Sequence, residues 1–274
     1  MALTVNTNMS ALSAASTLNN TQGALSQTLA RVSSGMRITR AADDAAGAAV
    51  AQNLSTQARS GRQAIRNAND GISVIQTAEA STKEVLSILD RMRELAVQSS
   101  SDTLADGERA YIKTETTALI SEISRIAQSS EFNGISLSNG STASLTVQVG
   151  VDGSSDSQVA ITLGDVMASS LSVNSLTLST AANARTAIGT IDTAIDSVNT
   201  IRATYGAAQN RLESSVNAMS SYVEALSGAA SQIQDADYAH ETAELTRLQV
   251  MQQAGVAALG QARSMNSSVI GLLG

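Results

Sequence analysis

The sequence predicts a mainly α protein: a long antiparallel helical bundle, terminal helices paired as a coiled coil, and a small β-hairpin region. Three observations carry this expectation. The 274 residues contain no proline, where ordinary usage would supply about 5%, so nothing in the composition interrupts long helices. One stretch places apolar or aromatic side chains three and four residues apart in alternation: Ile188, Ile191, Ile195, Val198, Tyr205, Leu212, Val216, Met219, Val223 and Leu226, with Arg202 and Gln209 as the gaps. A helix gathers such residues into one narrow seam that needs partner helices to cover it. Strict alternation of apolar and polar residues is confined to two short runs, 145–149 and 158–163, which read as half-buried strands.

Taken in order, residues 1–34 form a helix with a thin stripe of Leu18, Leu25, Leu29 and Val32. Ser33-Ser34-Gly35 reads as its stop, because glycine readily takes the left-handed conformation after a helix. Residues 36–40 are a short extended connector. Ala42-Asp43-Asp44 then offers a capping aspartate and first-turn negative charge for a second helix. That helix carries Ile65, Ala68, Ile72, Ile75, Ala78, Leu86, Leu89 and Met92, and ends near Ser99-Ser100-Ser101. After a turn over 102–107, a return helix carries Ile112, Leu119, Ile123 and Ile126. These two helices and the seam helix make a three-helix antiparallel bundle.

Phe132-Asn133-Gly134 signals a turn, and Asp152-Gly153 signals a hairpin between the two strand-like runs. The segment 132–180, rich in serine and threonine, is expected as the exposed part of the molecule. Ser227-Gly228-Ala229-Ala230 reads as a break ending the seam helix. Beyond it, Leu245, Leu248, Leu259, Val269 and Leu273 make a second thin stripe. The helices of the bundle return to one end, so both terminal helices start from the same place and can pair. Stripes this thin call for partners from other subunits.

Composition removes whole classes of function. With no cysteine, disulfides, thiolate-bound zinc and iron–sulfur clusters are excluded. A net charge of −7 and a pI near 4.7, with no Lys/Arg cluster, argue against nucleic acid as a partner. No apolar run approaches the length of a membrane span. The first residues have neither the basic nor the apolar segment of a secretory signal, so export would take another route. His240 is the single histidine, and Glu244 stands where a zincin needs its second. Without a P-loop or a nucleophile elbow, and with carboxylate pairs placed as helix caps, no enzyme, metal or cofactor site is expected.

Several separated motifs resemble one family. Asn6-Thr7-Asn8, Leu29-Ala30-Arg31-Val32-Ser33-Ser34-Gly35-Met36-Arg37-Ile38 and Ala41-Ala42-Asp43-Asp44-Ala45-Ala46-Gly47 are similar to the N-terminal signature of bacterial flagellin. So are Arg91-Met92-Arg93-Glu94-Leu95-Ala96-Val97-Gln98, Glu131-Phe132-Asn133-Gly134, Ile233-Gln234-Asp235-Ala236-Asp237-Tyr238-Ala239 and Gln252-Gln253-Ala254-Gly255. The resemblance implies an inner domain of two helices, 1–40 and 229–274, lining a filament channel. It implies an outer bundle of 41–131 and 181–228 bearing 132–180, without the large variable domains of longer flagellins. It further implies helical self-assembly into a filament for swimming, and export as an unfolded chain through the flagellar type III apparatus to the cell exterior. An export chaperone, the filament cap and hook-associated proteins would be its partners. In flagellins sensed by an animal Toll-like receptor, the matching contact residues would be Arg91, Leu95 and Glu115. Two other readings stand beside this one. A hook–filament junction protein shares the terminal helices, and a secreted translocator would use amphipathic ends, which should then be basic and bulky rather than rich in Ala, Ser and Asn.

Overall fold

The computed structural model describes the backbone of residues 7–273 and the side chains of residues 7–264. Its elements are α1 (Met9–Ser34), α2 (Ala45–Ser99), α3 (Asp106–Ser129), β1 (Glu131–Phe132), β2 (Ile135–Ser136), β3 (Ser144–Gln148), β4 (Gln158–Thr162), α4 (Ala181–Gln234) and α5 (Tyr238–Leu273). The mainly α architecture with a small β-region is therefore present. The chain divides into two compact units: residues 1–56 with 225–274, and residues 57–224.

Helix ends follow the chemistry of their flanks. Asn8 caps α1 by accepting the Ala11 N–H at 3.0 Å. Gly35 closes it at φ 71°, donating its N–H to the Arg31 carbonyl at 2.8 Å. Asp44 accepts the Gly47 N–H at 2.8 Å at the start of α2. Asp237 does the same for Ala239 and His240 at the start of α5, at 2.9 and 3.3 Å. Each of these side chains takes up a donor that the first helical turn would leave without a partner.

The unit 57–224 holds two dense cores. The first joins Val85, Leu89, Met92 and Ala96 of α2 with Ile112, Ile123 and Ala127 of α3, and with Ala184, Ala187, Ile191, Ala194 and Val198 of α4. Val166, Leu171, Val173 and Leu178 close it from the segment before α4. The second joins Ala68, Val74, Ile75 and Ala78 of α2 with Tyr205, Ala208 and Leu212 of α4, and is capped by Val147, Val159 and Ile161. β3 and β4 pair antiparallel in the register Ser144↔Thr162 to Gln148↔Gln158. The alternation seen in the sequence thus turns Val147, Val159 and Ile161 onto the helices. β1 and β2 make a smaller hairpin through Asn133 (φ 50°) and Gly134 (φ 78°), the left-handed pair that a tight hairpin turn requires.

Three expectations are corrected here. The seam helix does not break at 227–230: α4 runs on to Gln234. A single helical glycine costs only about 1 kcal/mol against alanine, and Ala229 and Ala230 are the best of helix formers. The strands are not joined by a tight turn at Asp152-Gly153. Residues 149–157 connect them and include a 3₁₀ turn at Ser155–Ser157. The serine- and threonine-rich segment 132–180 is also far from wholly exposed. Leu137, Val147, Val149, Val159, Ile161, Leu163, Val166, Leu171, Val173 and Leu178 are all buried, as is Ser138, so it forms a wall of both cores.

Candidate self-assembly surfaces

In the unit of residues 1–56 and 225–274, α1 and α5 pack along one another. The seam between them is thin. Leu248 is buried at 3% exposure, as are Thr21 and Thr28, whereas Leu18, Leu25, Val32, Leu245 and Leu259 are half-buried. Leu29 does not belong to the seam: it is 55% exposed, because Thr28, one residue earlier, takes the inward position. Val269 and Leu273 lie outside the residues whose side chains are described. Met9, Leu12, Val250, Met251 and Val256 are exposed on the same two helices. Between the helices runs a groove of about 380 Å³ lined by Ala14, Thr17, Leu18, Ala254, Gly255 and Ala258 among others.

Polar groups fix the alignment of this pair. The Asn8 side chain that caps α1 also donates to the Ala262 carbonyl of α5 at 2.9 Å. Gln252 donates to Gln22 at 2.6 Å, and the Tyr238 hydroxyl donates to the Val32 carbonyl at 2.6 Å. Arg31 meets Glu241 at 3.4 Å, with the Glu241 carboxylate almost fully buried. At the base of the pair, Met36 and Asp235 form an isolated antiparallel bridge. The Arg37 N–H donates to Gln234 at 2.7 Å and the Ala236 N–H to Gly35 at 2.9 Å. Asp43 organises the connector after α1. Its carboxylate accepts from the Thr39 hydroxyl and N–H at 3.0 and 3.1 Å, the Arg40 N–H at 3.1 Å and the Gln27 amide at 3.0 Å. The Thr39 hydroxyl above all, with these backbone donors and nearby Arg31, holds Asp43 below the ordinary carboxylate value against a smaller opposing effect of burial.

The seam residues of α4 are placed unevenly. Ile191, Val198, Tyr205 and Leu212 are fully buried, and Val223 and Leu226 nearly so. Ile188, Ile195, Val216 and Met219 are half-buried. Tyr205 shows why an aromatic serves at this position: its oxygen accepts the Gly164 N–H at 3.0 Å, while its ring fills the second core. Burial pushes its phenol above the ordinary value, and that hydrogen bond offsets part of the rise. A Cβ at Gly164 would run into Ile201, so the close approach needs glycine.

On the outer face of α2 and α3, Arg91 is ion-paired with Glu115 at 2.9 Å and with Glu94 at 2.9 Å, all three side chains about half or more exposed. These side-chain hydrogen bonds raise the Arg91 pKa further, that to Glu94 first. Leu95 is not on this face. It is 2% exposed within the first core, three residues on from the fully buried Met92 and so on the inward face of α2. Sequence reasoning passed over Arg109, which is 6% exposed. It donates to the carbonyls of Ser99, Leu104 and Ser101 at 3.1, 2.9 and 2.6 Å, locking the α2–α3 turn. A lone arginine three residues into a helix after a serine-rich stop was the available signal.

Among the described residues no group of three or more His, Asp or Glu side chains could hold a metal ion, and no helix is long and apolar enough to cross a membrane. The fold defines a mainly helical protein with two small antiparallel hairpins. Comparison with known proteins identifies the family. The model of the bacterial flagellin N-terminal helical region matches residues 5–143, and that of the C-terminal helical region matches residues 188–273. The flagellar filament 33 kDa core protein of Treponema phagedenis is 38% identical over 98% of this chain and 99% of its own length. A flagellin of Halalkalibacterium halodurans is 39% identical over 93% of each chain. The crystal structure of Bacillus cereus flagellin superposes with a TM-score of 0.50 at 31% identity, covering 56% of this chain and 88% of that one. The chain belongs to the bacterial flagellin family, the structural subunits of the flagellar filament.

Proposed function

We propose that this chain polymerises through its terminal helices into the shaft of a flagellar filament outside the cell. It acts there as a structural subunit rather than a catalyst. The observation that carries this is the α1–α5 pair, whose seam is half-buried and whose outer faces expose Met9, Leu12, Leu29, Val250 and Val256. A helix pair gains its stability from covering apolar surface, and further copies of the chain would cover what this pair leaves wet. Export is proposed through the flagellar type III apparatus as an unfolded chain. The thin seam supports this, because ends that bury so little remain unfolded until the growing tip supplies neighbours. An export chaperone, the filament cap and hook-associated proteins would hold the ends in turn. Complete amide protection of residues 9–34 in the monomer would refute this account of the ends.

The exposed Arg91–Glu115 pair is proposed as the contact for an animal flagellin-sensing Toll-like receptor. Leu95 would support that face from beneath rather than touch the receptor. Arg91→Ala monomers that signal in receptor-reporter cells as well as the parent would overturn that assignment.

The direct test is electron microscopy of the purified chain seeded with short filament fragments, beside a copy truncated to residues 45–234. Long filaments from the full chain and none from the truncation are expected. A full chain that stays monomeric on seeds, yet is found at the tip of the hook, would make it a junction protein instead.

A further inference from the structure

The two cores of residues 57–224 do not meet in an unbroken apolar column. On α2 the first core begins at Val85 and the second ends at Ala78. On α4 the first ends at Val198 and the second begins at Tyr205, with only Ile201 touching both. The intervening layer is polar. Arg202 of α4 reaches Glu79 of α2 at 3.5 Å, both side chains about one-third exposed, and the Arg202 Nε is buried with no partner among the described residues. Beside them, the hydroxyls of Ser81, Ser130 and Ser138 close a ring at 2.9, 3.0 and 3.1 Å. Thr82, fully buried, turns its hydroxyl back onto the Ala78 carbonyl at 2.8 Å.

An apolar seam repeating every three and four residues fits its partner almost equally well after a shift of one turn. A single polar contact inside the seam removes that degeneracy at some expense in stability. We propose that Arg202, paired with Glu79, is the register-determining residue of the bundle: it selects one longitudinal alignment of α4 on α2. The incomplete bonding of its guanidinium fits this role, since a pair kept for stability alone would be replaced with advantage by apolar residues. Other contacts between the same helices, Tyr222 to Gln57 at 3.2 Å and Arg93 to Asp192 at 2.6 Å, agree with the alignment but lie outside the layer between the two cores. Each can re-form elsewhere on an exposed face; Arg202 cannot, because one turn along α2 from Glu79 lie Ile75 and Gln76 on one side and Thr82 and Lys83 on the other, none of them a carboxylate. The inference concerns a single chain and stands independently of the filament reading.

The chain has no cysteine, so nitroxide labels can be placed cleanly at Ser73→Cys on α2 and Thr186→Cys on α4, both exposed positions. The antiparallel alignment puts them about 35 Å apart along the axis, and a slip of one turn moves them by about 5 Å. Pulsed electron resonance on the full-length chain should give one narrow distance in the parent. Arg202→Glu, facing Glu79, should add or substitute a population displaced by about one turn. Arg202→Glu with Glu79→Arg should return the single parental distance. The apolar pair Arg202→Leu/Glu79→Leu should retain helicity and thermal stability while showing both distances. A single parental distance in Arg202→Glu overturns the proposal, and so does failure of the charge swap to restore it. Should the apolar variant not fold, those two charge variants decide alone.

Discussion

The terminal helix pair and the central bundle are built from the same repeating pattern, yet they bury very different things. In the bundle, the inward positions hold Ile75, Leu89, Met92, Ile123, Ile191, Tyr205 and Leu212 at complete or near-complete burial. In the α1–α5 pair, the buried positions among the described residues are Thr21, Thr28, Glu241 and Leu248. The lesson is that a three/four spacing specifies a helix face but not a core. A core also needs a third layer, which α3 and the segment 137–178 supply to the bundle and nothing within the described terminal unit supplies to α1 and α5. The terminal pair is left aligned by hydrogen bonds and still wet on its apolar side.

The sharpest way to break the comparison is to cut a matched side chain from each region. Leu89→Ala, in a fully enclosed site, should cost about 2–5 kcal/mol, seen as a large fall in the urea midpoint of the bundle. Leu248→Ala should leave that midpoint unchanged and instead abolish growth on filament seeds. Equal loss of bundle stability from both substitutions would mean that the two regions unfold as one.

Next in size, Arg109→Ala strands three carbonyls at the α2–α3 turn. About 1–3 kcal/mol should be lost, with an unchanged denaturant slope, because the turn remains closed by the cores on either side. In the terminal unit, Asn8→Ala removes a helix cap together with a bond to α5. The cap alone is worth about 1 kcal/mol, and circular dichroism of assembled filaments should show earlier melting while the free bundle melts as before.

The smallest effects separate the regions by pH. Asp43 titrates below its ordinary value in the folded chain, so its contribution is present above that value, near 3.8, and disappears as acid takes the pH through the lowered one. Asp43→Asn should flatten the acid limb of filament stability without moving the bundle. Tyr205 behaves oppositely. Its folded pKa lies above the ordinary 10.0, so stability is full below pH 10.0 and declines as the pH rises further. Tyr205→Phe should lose the Gly164 bond but remove this alkaline decline, as read by far-ultraviolet dichroism above pH 10.

Much of this was legible in the sequence. Missing proline, the α4 seam and the strand alternation led to the helical bundle and its small sheet, and Asp43, Asp44 and Asp237 stand at the connector and helix starts where capping chemistry puts them. What escaped was set by neighbours distant in sequence. Leu95 and Leu29 sit on plausible faces by spacing, but partner packing decides which faces turn inward. Gly228 looked like a stop because local propensity favours one there, while the true stop waits for Asp235 to find Met36. The hydroxyl ring of Ser81, Ser130 and Ser138 has no signature at all, since three serines become a unit only after folding.

The bridge between Met36 and Asp235 also sets an order of events. It joins segments about 200 residues apart in the chain, and the helix pair above it spans still more. Contacts of such separation carry the greatest closure entropy and form late. Of the five described helices, α1 is made first during synthesis and its partner α5 last. Helix α1 is therefore born without a mate and stays so at least until α5 exists, whereas α2 and α3, adjacent in the chain, can collapse at once. Among the described helices, the pairing of α1 with α5 closes the longest loop and comes last.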